Sequence, residues 1–249
     1  MQFSFGTDVI GVNVPDWPSL RAEVTRRFRA GEGFALATIN LDHLVKMAGD
    51  AGFASIYAQQ DLIVADGRPI VWLSRLAGRP VGLVPGSDSV MPLAQLAAQE
   101  GVAVALVGST EAALADAAEA LCRAAPGLRI VMQRSPAFGF DAQSQEATAI
   151  LSDLTTRDVG LCFLALGAPR QEALAARGRV LAPSVGFASI GAGLDFLGGH
   201  QRRAPQAMRR LGLEWLWRAL TDPLRLGPRY ARCIAILPGQ VWAAWRLRR

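Results

Sequence analysis

The chain has 249 residues, is 51% hydrophobic and has a mean hydropathy of +0.23, enough for one large domain or for one domain with an appendage. No run of about 18 apolar residues occurs, which argues against a spanning helix, and the opening MQFSFGTDVIGVNV lacks the basic stretch that precedes a signal peptide's apolar run. The net charge of +5 is segregated: residues 200–249 hold eleven arginines against Glu214 and Asp222, about +9, while residues 1–199 balance to about −4. Four of the six tryptophans (Trp215, Trp217, Trp242, Trp245) share that basic tail, and Lys46 is the single lysine of the chain. Three scattered cysteines, Cys122, Cys162 and Cys233, fit buried thiols in a reducing cytoplasm better than disulfides or ligands. Two distant histidines, His43 and His200, give a zinc site little to work with.

In chain order, residues 18–30 predict a helix and Phe34–Asn40 a short strand. Leu41–Gln60 predicts a helix broken near Gly49–Gly52. Leu62–Ala65 is an apolar strand ending at Asp66-Gly67. Arg68–Leu76 and Ser89–Gln99 predict helices joined by a Gly/Pro-rich link. Val102–Val107 is an apolar strand ending at Gly108-Ser109-Thr110, before an Ala-rich helix over Glu111–Ala124. Leu128–Gln133 is a strand and Ala142–Thr156 a helix. A buried strand over Val159–Leu166 ends at Gly167, a helix covers Pro169–Arg177, and a last strand covers Ser184–Ile190. Apolar strands alternating with amphipathic helices predict an α/β fold: a Rossmann-like, mostly parallel sheet with helices on both faces. Near Gly198–Pro205 the composition turns basic and aromatic. A boundary there predicts an α/β core over residues 1–199 and a helical basic/aromatic C-terminal appendage over residues 200–249.

Open parallel sheets bind ligands at the carboxyl ends of their strands, so the residues that follow each strand are the site candidates. Asp66, with Gly67 behind it, suits a general base; a plain turn aspartate is the alternative. Thr38 and Asn40, two apart on an extended run, could face a sugar or uracil, or Asn40 could cap the next helix. Gly108-Ser109-Thr110 could cradle a diphosphate at a helix N-terminus, or be an ordinary capped turn. The sequence has neither GxGxxG nor GxxxxGK[ST]. In Gly167-Ala168-Pro169-Arg170-Gln171-Glu172, Pro169 opens a helix and puts Gln171 and Glu172 near its free N–H groups; Glu172 could equally serve the helix dipole. No D-x-D occurs, which favours metal-independent chemistry with arginines or backbone amides on a leaving group. Glu214–Arg218 predicts a helix. Cys233–Trp245 is uncharged, broken at Pro238-Gly239 and followed by Arg246, Arg248 and Arg249. That stretch suits a membrane interface, with a docked helix or a nucleic-acid-binding arm as alternatives.

These pieces, in this order, resemble the WecG/TagA/CpsF family of bacterial glycosyltransferases (glycosyltransferase family 26). The resemblance covers most of the chain. It is carried by Thr38-Ile39-Asn40, Ala65-Asp66-Gly67, Gly86-Ser87-Asp88, Gly108, Gly167–Glu172, Arg203-Ala204-Pro205, Gly212–Arg218, Pro223-Leu224-Arg225 and Arg229-Tyr230. Gly86–Asp88 and Val185–Asp195 depart from the family's usual pattern. The resemblance implies an inverting transferase that moves a sugar from a UDP-sugar to an undecaprenyl-diphosphate-linked sugar, in cell-surface or exopolysaccharide biosynthesis. It implies Asp66 as general base. It implies Thr38, Asn40, Gly108, Gln171, Glu172 and Arg203 as substrate-binding residues, and Arg218, Arg225 and Arg229 as substrate-binding tail arginines that close over the diphosphate. No cofactor or metal is expected, and the partners are the UDP-sugar, the polyprenyl-diphosphate-linked acceptor and an anionic membrane surface, not nucleic acid; self-association stays open. The location implied is peripheral, on the cytoplasmic face of the bacterial inner membrane. The competing classes are a nucleotide-sugar-binding α/β protein without transfer activity, an NAD-linked enzyme and a basic-tailed nucleic-acid-binding protein.

Overall fold

The computed structural model describes the chain except residues 202, 203, 206, 207, 209–213 and 249 and the side chains of residues 218 and 225. Six strands form one parallel sheet: β3 (Phe34–Ile39), β4 (Leu62–Ala65), β5 (Ala103–Gly108), β6 (Arg129–Arg134), β7 (Val159–Ala165) and β8 (Gly186–Ser189), in the order β4-β3-β8-β7-β5-β6. The central strands are buried on both faces, which is why they appear in the sequence as unbroken apolar runs. β3 leads outward to β4 and β5 outward to β6, with β8 and β7 between them. The loops at their carboxyl ends therefore converge on one edge of the sheet.

Helices cover both faces. Helices α1 (Trp17–Ala30), α5 (Gly86–Gln99), α6 (Glu111–Ala124) and α9 (Gly193–Leu197) pack on Leu36, Val64, Leu106 and Phe163. On the other face, α7 (Gln145–Thr156) and α8 (Arg170–Leu181) pack on Ala35, Val107, Leu164 and Phe187. Beside them lie α2 (Leu41–Gly49), α3 (Ala51–Ala58) and α4 (Arg68–Leu76), over Ala37, Ile39 and Ile63. The predicted break near Gly49 is a real helix end: Asp50 caps α3, its side chain accepting from Phe53 N at 3.0 Å.

Four differences from the sequence expectation have physical causes. The first strands, β1 (Gln2–Phe5) and β2 (Asp8–Gly11), form an antiparallel hairpin whose Phe3 and Ile10 join the core. α5 begins at Gly86 rather than Ser89, so the end of the Gly/Pro link is its first turn. Cys162 and Cys233 are buried as expected, but Cys122 is exposed. The last helices are α10 (Glu214–Thr221) and α11 (Pro223–Arg246), and α11 runs unbroken through Pro238. An interior proline costs about 3 kcal/mol in an isolated helix. Here a docking strip offsets it: Leu226, Cys233 and Ala244 are buried at helical spacing, with Ala244 inside the core cluster of α2, α3 and α4.

Candidate functional site

The carboxyl ends of β3 and β4 bring the first candidates together. Their register pairs Ile39 with Ala65, and the Asp66 backbone N–H continues it, donating to Ile39 O at 2.8 Å. Asp66 and Asn40 thus sit side by side, half-buried, and Asn40 Nδ2 donates to Asp66 Oδ2 at 3.4 Å. Asn40 also caps α2: its Oδ1 accepts from Asp42 N at 3.1 Å and from His43 N at 3.2 Å. The capping alternative therefore holds for Asn40, and the cap leaves its amide donor aimed at Asp66. Thr38 is buried beside the first turn of α5, where a methyl group on Gly86 would lie 3.1 Å from Thr38 Oγ1 and 3.3 Å from Ile190 Cα.

Beneath this pair lies a buried polar cluster built by α2, α3 and α8. Gln171 Oε1 accepts from Gly191 N at 3.2 Å, tying α8 to the loop after β8, and Gln171 Nε2 donates to Glu172 Oε1 at 2.8 Å. Glu172 is fully buried. It lies 3.6 Å from His43 Nε2, and its backbone oxygen accepts from Gln60 Nε2 at 3.2 Å. The Ala168–Pro169 peptide that leads into α8 is cis, and Lys46 Nζ donates to Ala168 O at 3.0 Å. Burial, rather than the dipole of α8, dominates Glu172 and pushes its carboxyl up to about 7. Burial also pulls His43 down to about 3, so the imidazole is neutral. Tyr57 is raised by burial and by the nearby Glu172 and Asp66 carboxylates.

The elevated Glu172 carboxyl carries a stability prediction. Below the unfolded value of 4.5 both states are protonated and nothing is lost. Between there and about 7 only the unfolded chain ionises, so stability falls as pH rises. Glu172→Gln removes this loss. The melting-temperature gap in favour of the variant should open between pH 4.5 and 7 and then stay level, reaching on the order of 3 kcal/mol, or roughly 6–12 °C. A gap independent of pH would show that Glu172 is ionised in the native protein.

The Gly108-Ser109-Thr110 turn follows its ordinary reading in part. Thr110 caps α6, its side chain accepting from Ala113 N at 3.2 Å, and Ser109 Oγ donates to Asp195 Oδ1. Gly108 has φ +119°, and a methyl group there would lie 2.4 Å from Ala165 O. It is glycine because β5 and β7 close tightly at their ends. Gly108→Ala should cost at least about 3 kcal/mol, lowering the melting temperature by roughly 6 °C or more; an unchanged melt would refute that packing.

From the tail, Arg229 reaches the site region: its Nη2 lies 2.9 Å from Asp42 Oδ2, an oxygen that Lys46 Nζ also approaches at 3.0 Å. Burial disfavours the Asp42 carboxylate, but the Arg229 and Lys46 cations outweigh it and hold the carboxyl below its usual range. Arg203 lies outside the described residues, as do Gly212 and Leu213 of the tail motif and the side chains of Arg218 and Arg225. The other face of α11 exposes Leu224, Ile234, Val241, Trp242 and Trp245, with Leu247 exposed just past its end, and the Arg246 guanidinium stacks 4.6 Å from the Trp242 ring centroid. Among the described residues no helix is long and apolar enough to cross a membrane. Nor does any group of three or more His, Cys, Asp and Glu there have the arrangement to hold a metal ion.

His43, Lys46, Tyr57 and Asp195 were not singled out as site residues from sequence. Two signals were available: the spacing Asn40-x-x-His43, which forms a capping box, and the position of Asp195 just after the Gly191-Ala192-Gly193 strand end.

Residues 7–249 match a family model described as glycosyl transferase WecG/TagA/CpsF family. A curated relative from Bacillus spizizenii, an N-acetylglucosaminyldiphosphoundecaprenol N-acetyl-beta-D-mannosaminyltransferase, is 26% identical over 196 residues, covering 78% of this chain and 74% of the relative.

Proposed function

The chain belongs to the WecG/TagA/CpsF family of glycosyltransferases, and from that premise we propose that it moves a sugar from a UDP-sugar to a polyprenyl-diphosphate-linked sugar at a membrane surface. The observation that carries the assignment of roles is the Asp66–Asn40 pair at the ends of β4 and β3. Asp66 accepts the proton of the acceptor hydroxyl. That oxygen forms its bond to the anomeric carbon from the face opposite the diphosphate, the carbon–oxygen bond to UDP breaks, and the configuration inverts. Thr38, Asn40 and the turn at Gly108 serve the two substrates at the strand ends, and Gln171 serves from beneath by holding the loop after β8 through Gly191 N. Arg203, Arg218, Arg225 and Arg229 offset the charge that grows on the departing UDP. The missing D-x-D motif supports a reaction without a metal ion. The acceptor class follows that of the Bacillus spizizenii relative, an undecaprenyl-diphosphate-linked N-acetylglucosamine.

The exposed aromatic face of α11, with its arginines, supports peripheral binding to the cytoplasmic face of the inner membrane, where such an acceptor resides. The test is a screen of UDP-hexoses, UDP-N-acetylhexosamines and UDP-uronic acids with synthetic N-acetylglucosaminyl-diphospho-polyprenol, with and without EDTA, reading the anomeric coupling of the product by NMR. Transfer with inversion in EDTA is expected. Retention of configuration would remove Asp66 as a simple base, loss of transfer in EDTA would remove metal independence, and failure of every donor would remove the substrate class.

A further inference from the structure

We infer that His43 is a positioning residue for the Asp66 base and that the buried side chain of Glu172 selects the His43 tautomer that does this. The inference rests on the reading of Asp66 as the base. His43 Nδ1 accepts the Asn40 backbone N–H at 3.2 Å. A nitrogen that accepts cannot carry the proton, so the proton of the neutral ring sits on Nε2. Nε2 faces Glu172 Oε1. The Asn40 side chain, oriented by the same box, has its oxygen committed to two N–H groups and its amide donor directed at Asp66. One path therefore runs from Gln171 through Glu172, His43 and Asn40 to Asp66.

A helix cap alone does not need this arrangement. Asn40 Oδ1 already satisfies the first N–H groups of α2, and a solvent-exposed side chain would serve at the third position as well. Instead the imidazole is enclosed, with ring centroids 5.5 Å from Tyr57 and 6.3 Å from Phe53. Burying two ionisable groups against one another is a poor way to add stability. It is an effective way to fix a tautomer, because neither group can turn or charge without disturbing the other.

The ionisable groups around the pair come from several elements. α2 brings Asp42 and Lys46, α3 brings Tyr57, the end of β4 brings Asp66, and α11 brings Arg229 on Asp42. β3 and β8 bring none. α7 meets α8 at Arg177, which bonds Ala142, Ser144 and Thr148. The cations fall on the Asp42 side of α2, so the carboxyl facing His43 is Glu172.

The test uses the full-length protein labelled with ¹⁵N-histidine. His43 and His200 are the only histidines, so His200→Gln assigns the spectrum. Between pH 5 and 8 His43 should show a single neutral Nε2–H tautomer. Glu172→Gln should keep it, and Glu172→Met should bring in the Nδ1–H form. In turnover of UDP-N-acetylmannosamine with N-acetylglucosaminyl-diphospho-undecaprenol, His43→Asn keeps an acceptor for the Asn40 N–H, whereas His43→Gln keeps only the reach toward Glu172. The asparagine variant should hold kcat within about threefold, and the glutamine variant should lose about tenfold or more in kcat with KM unchanged. If the wild type transfers no sugar from this donor, the choice of donor falls, and the Asn40 side-chain NH₂ resonances decide between the same variants: unmoved in His43→Asn, shifted in His43→Gln. A His43 that protonates in this range, an Nδ1–H tautomer in the wild type, or equal effects of the two His43 variants would each overturn the inference.

Discussion

Asp66→Asn should fold and melt as the wild type does and lose about 10²–10⁴-fold in transfer rate, the range general-base help contributes. The substitution keeps the size of the side chain, and its amide can still meet Asn40, whose Nδ2 lies 3.4 Å from the present carboxylate. It removes only the capacity to accept a proton. Stopped transfer assays with a polyprenyl-diphosphate-linked acceptor give the rate, and circular dichroism gives the fold. KM for the acceptor should change little, because the loss is confined to the transition state. Turnover within tenfold of wild type would take the base assignment away from Asp66 and send it to another strand-end residue.

The second large effect is expected at the tail, with a design dictated by how α11 docks. Deleting residues 200–249 would uncover the core that Leu226, Cys233 and Ala244 cover, and so would confuse unfolding with loss of binding. The exposed face can be changed alone. Trp242→Ala and Trp245→Ala, combined with Arg246→Gln and Arg248→Gln, leave the docking strip intact. Each arginine near an anionic surface contributes about 1 kcal/mol, so the two alone amount to roughly thirtyfold in binding, and the tryptophans add to it. Co-sedimentation with phosphatidylglycerol-containing vesicles should fall by at least that factor, with the melting temperature unchanged. Equal sedimentation of variant and wild type would leave the membrane reading without support.

The sheet was legible in the sequence because buried parallel strands are contiguous apolar runs with glycine at their ends, as in Val159–Ala165 before Gly167. Asp66 and Asn40 were legible for the same reason: each stands just past such a run. The hairpin of β1 and β2 was not, since Gln2–Phe5 and Asp8–Gly11 are four residues each and their alternation is too brief to stand out. α9, with five residues, left no helical period to detect. Pro238 obeyed its local rule in the sequence and lost to tertiary packing in the fold. The enclosure of Glu172 was not legible for a related reason. Its position in the first turn of α8 suits a substrate contact or a dipole partner, and nothing local tells that His43 and Tyr57, more than a hundred residues earlier, close over it. Side-chain enclosure of that kind is a property of the assembled layers and not of any one segment.

Lys46 stands at the junction of α2 with the loop before α8, holding Ala168 O and Asp42, and the chain contains no other lysine. Amine-directed chemistry on this protein is therefore confined to the α-amino group and to a side chain at the edge of the site. A lysine-specific cross-linker to a bound substrate would label one side chain. Immobilisation through lysine would tether the molecule by that same residue, beside the candidate site, so surface-capture experiments on this enzyme need an engineered handle elsewhere.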